Sequence, residues 1–137
     1  MEILAILFIT VFLQGLLSAP AVSSEETVDC EQPKDTIQMQ TCVKNEMDAA
    51  DRELNKTYNS LYTELRRAKR KVLATKLSQE QRKWVKDRWK NCEDEGREEA
   101  GGGTAESLYF GSCYVRLTRE RTLELDQRYR DQGQPKN

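Results

Sequence analysis

The sequence predicts an all-α fold, in which one long helix and two shorter helices form an antiparallel bundle stapled by disulfides. Apolar or small residues recur every three or four positions from Val43 to Val72, which is the period of one helix face. No Gly or Pro interrupts residues 35–72, and the chain contains four Cys. No segment shows the alternation typical of a strand. These observations predict a long first helix around which the rest of the chain is arranged.

The first segment has the pattern of a signal peptide. Residues 3–17 form a nearly unbroken apolar run, and Ala19 and Ala21 then match the small-x-small pattern of a cleavage site. The run is shorter than the roughly 20 apolar residues that a membrane-spanning helix needs. We therefore predict a signal peptide over 1–21, a single helical domain over 22–130 and a disordered tail over 131–137. The product should be exported, either periplasmic or secreted, without a membrane span after cleavage.

The first predicted helix begins at Asp35, because Asp35 and Gln38 have the spacing of a capping box. It continues to about Val72. Its first half is acidic and its last turns are basic, so the charges at both ends complement the helix dipole. The preceding residues show no periodicity and should form an extended lead-in.

The second predicted helix covers residues 79–95. Ser78 and Gln81 form a second capping-box signature, and the connection over 73–77 is short enough for an antiparallel hairpin. The inward face of this helix is predicted to carry Trp84, Val85, Trp89 and Cys92.

The third predicted helix begins at Thr104, which is a suitable N-cap, and ends near Arg130. Residues 96–103 contain four Gly, two Glu and one Arg, so they are predicted to form a flexible acidic loop. The inward face of the third helix is predicted to carry Leu108, Tyr109, Cys113, Leu117 and Leu123.

The four Cys of an exported chain predict two disulfides. A metal site is disfavoured, because the chain has no His and its Cys spacings are too wide for a zinc knuckle. A bond between Cys42 and Cys92 would require a broken helix, since Cys42 lies roughly 18 Å too far along the first helix. Cys92 and Cys113 can meet across the glycine loop. The predicted pairs are therefore Cys30 with Cys42 and Cys92 with Cys113.

The first turns of the long helix pose a burial problem. The second helix is too short to reach Ile37, Met39, Val43 and Met47. The favoured prediction is that the tethered lead-in, or a bend of the first helix, covers these residues. The alternative is a partner or a second subunit, because Met-rich apolar surface adapts well to binding.

The landmarks of the three helices also resemble a known family. In order they are Cys42, Ala50-Asp51-x-x-Leu54-Asn55-x-x-Tyr58, Gln81-Arg82-x-Trp84, Arg88, Cys92, a Gly-Gly loop, Cys113 and Thr118-x-x-Arg121-x-x-x-Leu125. On these residues the chain resembles the LprI-like lysozyme inhibitor N-terminal domain family over residues 30–125. The resemblance implies a small, exported, disulfide-stapled helical domain. It also implies lysozyme inhibition, an activity that belongs to a few members of the family.

The polar landmarks lie on or beside the inward faces of the helices. They are Asp51, Asn55, Gln81, Arg88, Thr118 and Arg121. Because a buried polar group must be hydrogen-bonded, we expect Arg88 to meet Asp51 or Asn55, with Arg121 in a neighbouring network. The alternative interpretation is a ligand site formed by Asn55, Arg88 and Arg121.

Enzymatic chemistry has little support in this sequence. The chain has no His and no Gly-x-Ser-x-Gly elbow, and its Cys are assigned to disulfides. Acidic residues are so numerous along the helices that a pair of carboxylates carries no information. We therefore predict a protein that is not an enzyme and that uses no cofactor.

The uneven charge distribution is the most useful clue to function. Residues 66–90 contain eleven basic and two acidic residues and could hold nucleic acid or an anionic surface. Because Trp84 and Trp89 are predicted to face inward, the run lacks interleaved exposed aromatics, and the chain is predicted to be exported, so the run is interpreted as a solvated face. The acidic residues that follow are Glu93, Asp94, Glu95, Glu98 and Glu99. They are candidates for steering a cationic partner such as a lysozyme. The alternative is a linker whose charges only keep it soluble.

Two functional hypotheses result. The first is an inhibitor, monomer or homodimer, that occludes the cleft of a lysozyme. The second is an envelope protein-interaction or oligomerising structural module, monomer or homodimer, that uses the apolar start of the first helix and has no lysozyme activity. The predicted partner is a protein in both cases.

Overall fold

The computed structural model describes residues 28–133, and the predicted signal peptide and residues 134–137 lie outside this part of the chain. Three helices account for most of it: α1 over Thr36–Arg67, α2 over Lys71–Ala100 and α3 over Thr104–Gly133. No strand occurs between residues 28 and 133. The predicted all-α bundle is therefore confirmed, although α2 and α3, at 30 residues each, are nearly as long as the 32 residues of α1.

The start of α1 agrees with its capping signature. The Asp35 side chain accepts a hydrogen bond from the Gln38 backbone N–H at 2.8 Å, and Gln38 Oε1 accepts one from the Lys34 N–H. The first bond satisfies an amide that the first turn of a helix leaves unpaired, and the second ties the residue before the N-cap to the helix.

The turn between α1 and α2 lies earlier than the sequence predicts. Helix α1 ends at Arg67, Lys69 adopts a positive φ of 57°, and α2 begins at Lys71. The predicted connection over 73–77 is thus helical, because Ala74 and Leu77 pack into the core. The predicted capping box at Ser78 is wrong, and its partner Gln81 is a buried residue of the helix interior.

The end of α2 also differs from the prediction. Gly96 does not end the helix but lies buried within it, where an added Cβ would be 3.0 Å from the Glu106 carbonyl oxygen. The glycine therefore permits close approach of α2 and α3. The helix ends at Ala100 with Gly101 as a left-handed cap, so the connection shortens to residues 101–103 and Glu98 belongs to the last helical turn.

Helix α3 covers the first turns of α1. The two helices run in the same direction and pack directly on each other, whereas α1 and α2 touch less. Gly111 makes this possible, because a Cβ at that position would overlap Val43 Cγ1 and lie 3.5 Å from Met47 Sδ. The expected cover by the lead-in, by a bend of α1 or by a second subunit is therefore not required, and Ile37 stays exposed.

The core consists of two apolar clusters separated by polar residues. The larger cluster lies towards the α1–α2 turn and contains Leu54, Leu61, Leu65, Ala74, Leu77, Leu125 and Tyr129. The smaller one surrounds the disulfide at the other end and contains Cys92, Cys113 and Tyr114. Burying apolar surface in these clusters is the main force that holds the bundle together.

Several residues that were assigned to inward faces are exposed. They are Val85 and Trp89 on α2 and Tyr109 and Leu123 on α3. The true inward face of α2 runs through Gln81 and Arg88 to Cys92, so polar residues occupy positions that an apolar pattern misses. Val85 and Trp89 each follow an inward residue by one position, which turns them onto the flank of the helix.

The two disulfides join Cys30 to Cys42 and Cys92 to Cys113, which is the pairing that the sequence analysis expects. The first ties the lead-in to the second turn of α1. The second links α2 to α3 near the glycine connection, and its sulfur atoms are almost completely buried. It fixes the end of the bundle at which α2 and α3 meet.

Candidate protein-binding site

A buried polar network occupies the middle of the bundle, between the two apolar clusters. Arg88 of α2 is only 6% exposed, and its Nη1 donates to Asp51 Oδ1 at 2.8 Å and to Thr118 Oγ1 at 2.7 Å. Its Nη2 donates to the Tyr114 hydroxyl at 2.7 Å. One guanidinium therefore joins all three helices, as its planar fork of donors allows.

The network closes on itself. The Tyr114 hydroxyl donates to Asp51 Oδ2 at 2.6 Å, and the Thr118 hydroxyl donates to the Tyr114 carbonyl oxygen. The Arg88 guanidinium also lies 3.7 Å from the centre of the Tyr114 ring and 4.8 Å from that of Trp84. Because the charge is paired, hydrogen-bonded and stacked on aromatic faces, its burial is compatible with a stable core.

A second buried arginine, Arg121 of α3, forms its own hydrogen-bond network nearer the α1–α2 turn. Arg121 Nε donates to Gln81 Oε1 at 3.1 Å, and its Nη1 donates to Glu124 at 2.8 Å. Tyr129 donates to Glu80 in the same region. These contacts join α2 to α3 and belong to the bundle's internal structure.

The structure brings together five of the six polar landmarks. Asn55 is the exception, because its side chain is exposed and lines a surface groove with Tyr58 and Arg82. The proposed partner of Arg88 is thus Asp51, and the ligand site of Asn55, Arg88 and Arg121 does not assemble. Sequence reasoning missed Tyr114, although its position four residues before Thr118 on one helix could have indicated a shared face.

The buried tyrosines predict a loss of stability at high pH. Burial and a hydrogen bond to Asp51 raise the pKa of Tyr114 to about 12, and burial with a hydrogen bond to Glu80 raises the pKa of Tyr129 to about 12. In the unfolded chain both ionise near 10. Their contribution is therefore complete below pH 10 and is lost as the pH rises through about 12. The unfolding free energy should fall across this window by at most about 3 kcal/mol per tyrosine.

Urea unfolding of the wild type and of Tyr114→Phe at a series of pH values measures this effect. The variant should show a smaller fall above pH 10, whereas Tyr109→Phe, which changes an exposed ring, should behave like the wild type. Near-ultraviolet absorbance of phenolate in the folded protein gives an independent check. The assignment is wrong if all tyrosines ionise together near their ordinary pKa of about 10.

All five predicted acidic residues lie on the last turns of α2, including Glu98 and Glu99, which the sequence analysis places in a loop. Three of them are ion-paired on the surface: Glu93 with Arg97, Asp94 with Lys90 and Arg97, and Glu95 with Arg116. The hydrogen bond between Lys90 and Asp94 lowers the pKa of Asp94 and raises that of Lys90. Among the side chains of residues 28–129, no basic group lies within 4 Å of Glu98 or Glu99, so their charges are not neutralised by an ion pair there.

A shallow groove of about 350 Å³ lies beside these acids, between α2 and the first turns of α3. It is lined by Trp89, Glu93, Gly103, Glu106, Ser107 and Phe110. Trp89 is 57% exposed and rests edge-on against Phe110, with ring centres 4.9 Å apart. We call the surface formed by this groove and residues 93–106 the acidic end of the bundle.

The described residues offer no sign of a metal centre or of a transmembrane segment. Between residues 28 and 133, no three His, Cys, Asp or Glu side chains are grouped so that they could hold a metal ion. None of the three helices described is long and apolar enough to cross a membrane. The acidic end, with its exposed aromatic residue, is instead the type of surface that contacts proteins.

Comparison with known proteins is consistent with this architecture. The model of a family described as Lysozyme inhibitor LprI matches residues 29–125. An uncharacterised protein of Rhizobium meliloti strain 1021 is 31% identical over 117 residues, which cover 79% of this chain and 84% of the relative. No solved structure matches the chain significantly. The matched region contains both disulfides and the whole central polar network.

Proposed function

Because this chain belongs to the LprI family of lysozyme inhibitors, we propose that it is an exported protein that binds a lysozyme and occludes its substrate cleft. The proposed contact surface is the acidic end of the bundle. The observation that carries the proposal is an exposed Trp89 that lines a groove at the same end of the bundle as Glu98 and Glu99, two carboxylates of the last turn of α2. Export accords with two disulfides, which persist in oxidising compartments outside the cytoplasm.

Charge provides the first step of the proposed interaction. Lysozymes are commonly basic, so the carboxylates of Glu98 and Glu99 would attract them over a distance of about one Debye length. Since neither carboxylate is paired within the described residues, no internal salt bridge has to break before they reach the partner. These charges would accelerate association and align the two proteins more than they would add affinity.

Apolar contact provides the second step. A half-exposed tryptophan beside a groove is the kind of anchor that supplies most of the binding energy in a protein interface. Trp89 is held in place by Phe110, so little side-chain freedom would be lost on binding.

Occlusion follows from the shape of this end. Helices α2 and α3 are locked together there by the Cys92–Cys113 disulfide and by the close contact at Gly96, and only residues 101–103 connect them. Two helices joined by three residues form a narrow, rigid edge. Such an edge can dock on the positive rim of an enzyme and block access to its cleft. It need not contact the catalytic residues to do so.

Clearing of a peptidoglycan suspension by a c-type lysozyme tests the proposal. The oxidised protein should protect the suspension in a dose-dependent manner. Trp89→Ala should reduce affinity at least about tenfold, as expected for an anchor worth more than 1 kcal/mol. Glu98→Lys combined with Glu99→Lys should slow association and weaken its dependence on salt.

A matched control is Glu53→Lys combined with Glu64→Lys, which makes the same change of charge on α1, away from the acidic end. This variant should inhibit like the wild type. The contact surface is wrong if both charge variants behave alike. No protection by a folded protein would count against inhibition of that lysozyme type and favour the alternative of an envelope interaction module, whose oligomeric state light scattering would reveal.

A further inference from the structure

The turn between α1 and α2 carries positive charge that the rest of the described protein does not neutralise. Its basic residues are Arg66, Arg67, Lys69, Arg70 and Lys71, and among the side chains of residues 28–129 none of them has a carboxylate within 4 Å. Bases elsewhere on α1, α2 and α3 are often paired, as Lys44 is with Asp48 and Lys90 with Asp94. We call residues 66–72 the basic turn.

The residue types of the basic turn depart from the usual preferences of helix ends. Lys69 has a φ of 57°, a conformation that favours glycine. Arg70 occupies the N-cap of α2 without a side-chain capping bond, where Ser, Thr, Asp or Asn would serve. Lys71 lies in the first turn of α2, which contains no acidic residue, so its charge opposes the helix dipole.

At each of these three consecutive positions the residue is locally unfavourable for the fold, and at each of them it carries a positive charge. Departures from local rules tend to accumulate where a sequence serves a function. Their simplest physical explanation is an anionic binding partner, whose contact offsets the cost to the fold.

The shape and composition of the turn restrict that partner. No aromatic residue occurs among residues 66–72, so the base stacking that single-stranded nucleic acids use is absent. The turn joins α1 to α2 and so lies at one end of the bundle, where an extended anionic surface can approach it. Val72, 82% exposed beside Lys71, adds an apolar contact.

We propose that the basic turn docks the protein on the surface of a phospholipid bilayer that contains anionic lipids. Each basic residue near such a surface strengthens binding about fivefold. Helix α2 spans about 45 Å at the helical rise, and its other end carries the acidic residues, which the same surface repels. Docking would therefore orient the bundle with its acidic end away from the membrane.

Sedimentation with lipid vesicles tests this proposal, using the exported and processed protein with its mass verified. Binding is expected to phosphatidylcholine vesicles that contain phosphatidylglycerol, and not to pure phosphatidylcholine, and it should be lost at high salt. The variant Arg67→Gln, Lys69→Gln, Lys71→Gln should bind about 100-fold more weakly. A matched control is Arg52→Gln, Lys56→Gln, Arg82→Gln, which removes three exposed bases that have no ion pair in the described residues. It should bind within a few-fold of the wild type.

Lys69→Gly separates binding from folding. Relief of the positive φ should raise the melting temperature, while loss of one charge should weaken vesicle binding about fivefold. Equal losses in the two triple variants would overturn the proposal, because binding would then depend on net charge alone. Binding to soluble polyphosphate without binding to phosphatidylglycerol vesicles would overturn it as well.

Discussion

Replacing Arg88 with alanine should lower the free energy of unfolding by about 3–5 kcal/mol, the range for breaking a buried ion pair by removing one partner. The change deletes hydrogen bonds to Asp51, Thr118 and Tyr114 and leaves these groups to find other partners. It also removes the cation that stacks on Trp84 and Tyr114. For a domain of this size the melting temperature should fall by roughly 15 °C or more, which circular dichroism would record.

Two further variants serve as comparisons for the melting temperature of Arg88→Ala. Arg88→Lys keeps the charge but cannot reproduce the planar fork, so it should restore only part of the stability. Arg82→Ala, which removes an exposed arginine from the same helix, should change the melting temperature little. A normal melt for Arg88→Ala, together with lost lysozyme binding, would contradict the structural role of the network and assign Arg88 to a binding site.

The features that the sequence predicts well are those that local chemistry determines. The apolar period of α1 and the capping pair of Asp35 and Gln38 each follow from residues within a few positions of one another. The pairing of Arg88 with Asp51 was predictable for a related reason. A buried charge requires a partner, and Asp51 was one of the two that the pattern placed on the facing helix.

The features that the sequence could not predict depend on contacts between distant segments. Gly96 resembles a helix breaker, but it lies inside α2, where the backbone of α3 approaches it closely. The close approach of Val43 to Gly111 likewise depends on how α1 packs on α3. The sequence does not predict the start of α2 at Lys71, because the basic residues before it are poor capping residues. The role of Tyr114 is not predicted, because an aromatic residue next to a Cys is typical of an apolar core. In the structure its hydroxyl completes the polar network.

These differences also changed the candidate site. The sequence predicts a flexible acidic loop over residues 96–103, but Glu98 and Glu99 lie on a helix whose end is fixed to α3. Charges on a fixed scaffold lose less conformational entropy on binding than charges on a loop. The correction therefore makes the acidic end a better candidate for recognition of a protein partner, and it makes that candidate depend on the disulfide beneath it.

Replacing Cys92 and Cys113 together with serine should lower the free energy of unfolding by about 3–5 kcal/mol. The disulfide closes a loop with a sequence separation of 21 residues, worth roughly 3 kcal/mol in the chain-entropy model. The new hydroxyls would also lie in a buried apolar cluster beside Met47, Phe110 and Leu117, which adds to the loss. Urea unfolding would measure the effect, and lysozyme inhibition should weaken in parallel because the acidic end is no longer fixed.

The corresponding double serine variant of Cys30 and Cys42 is the matched control. Its loop is shorter, with a sequence separation of 12, and Cys30 is exposed, so the packing part of the loss should be small. Alanine at positions 92 and 113 separates the remaining causes, because it removes the cross-link without burying a hydroxyl. If the Cys30 and Cys42 variant lost more stability than the Cys92 and Cys113 variant, the inner disulfide would not be the principal staple of the bundle. Inhibition that survived the loss of Cys92 and Cys113 would show that recognition does not require a rigid acidic end.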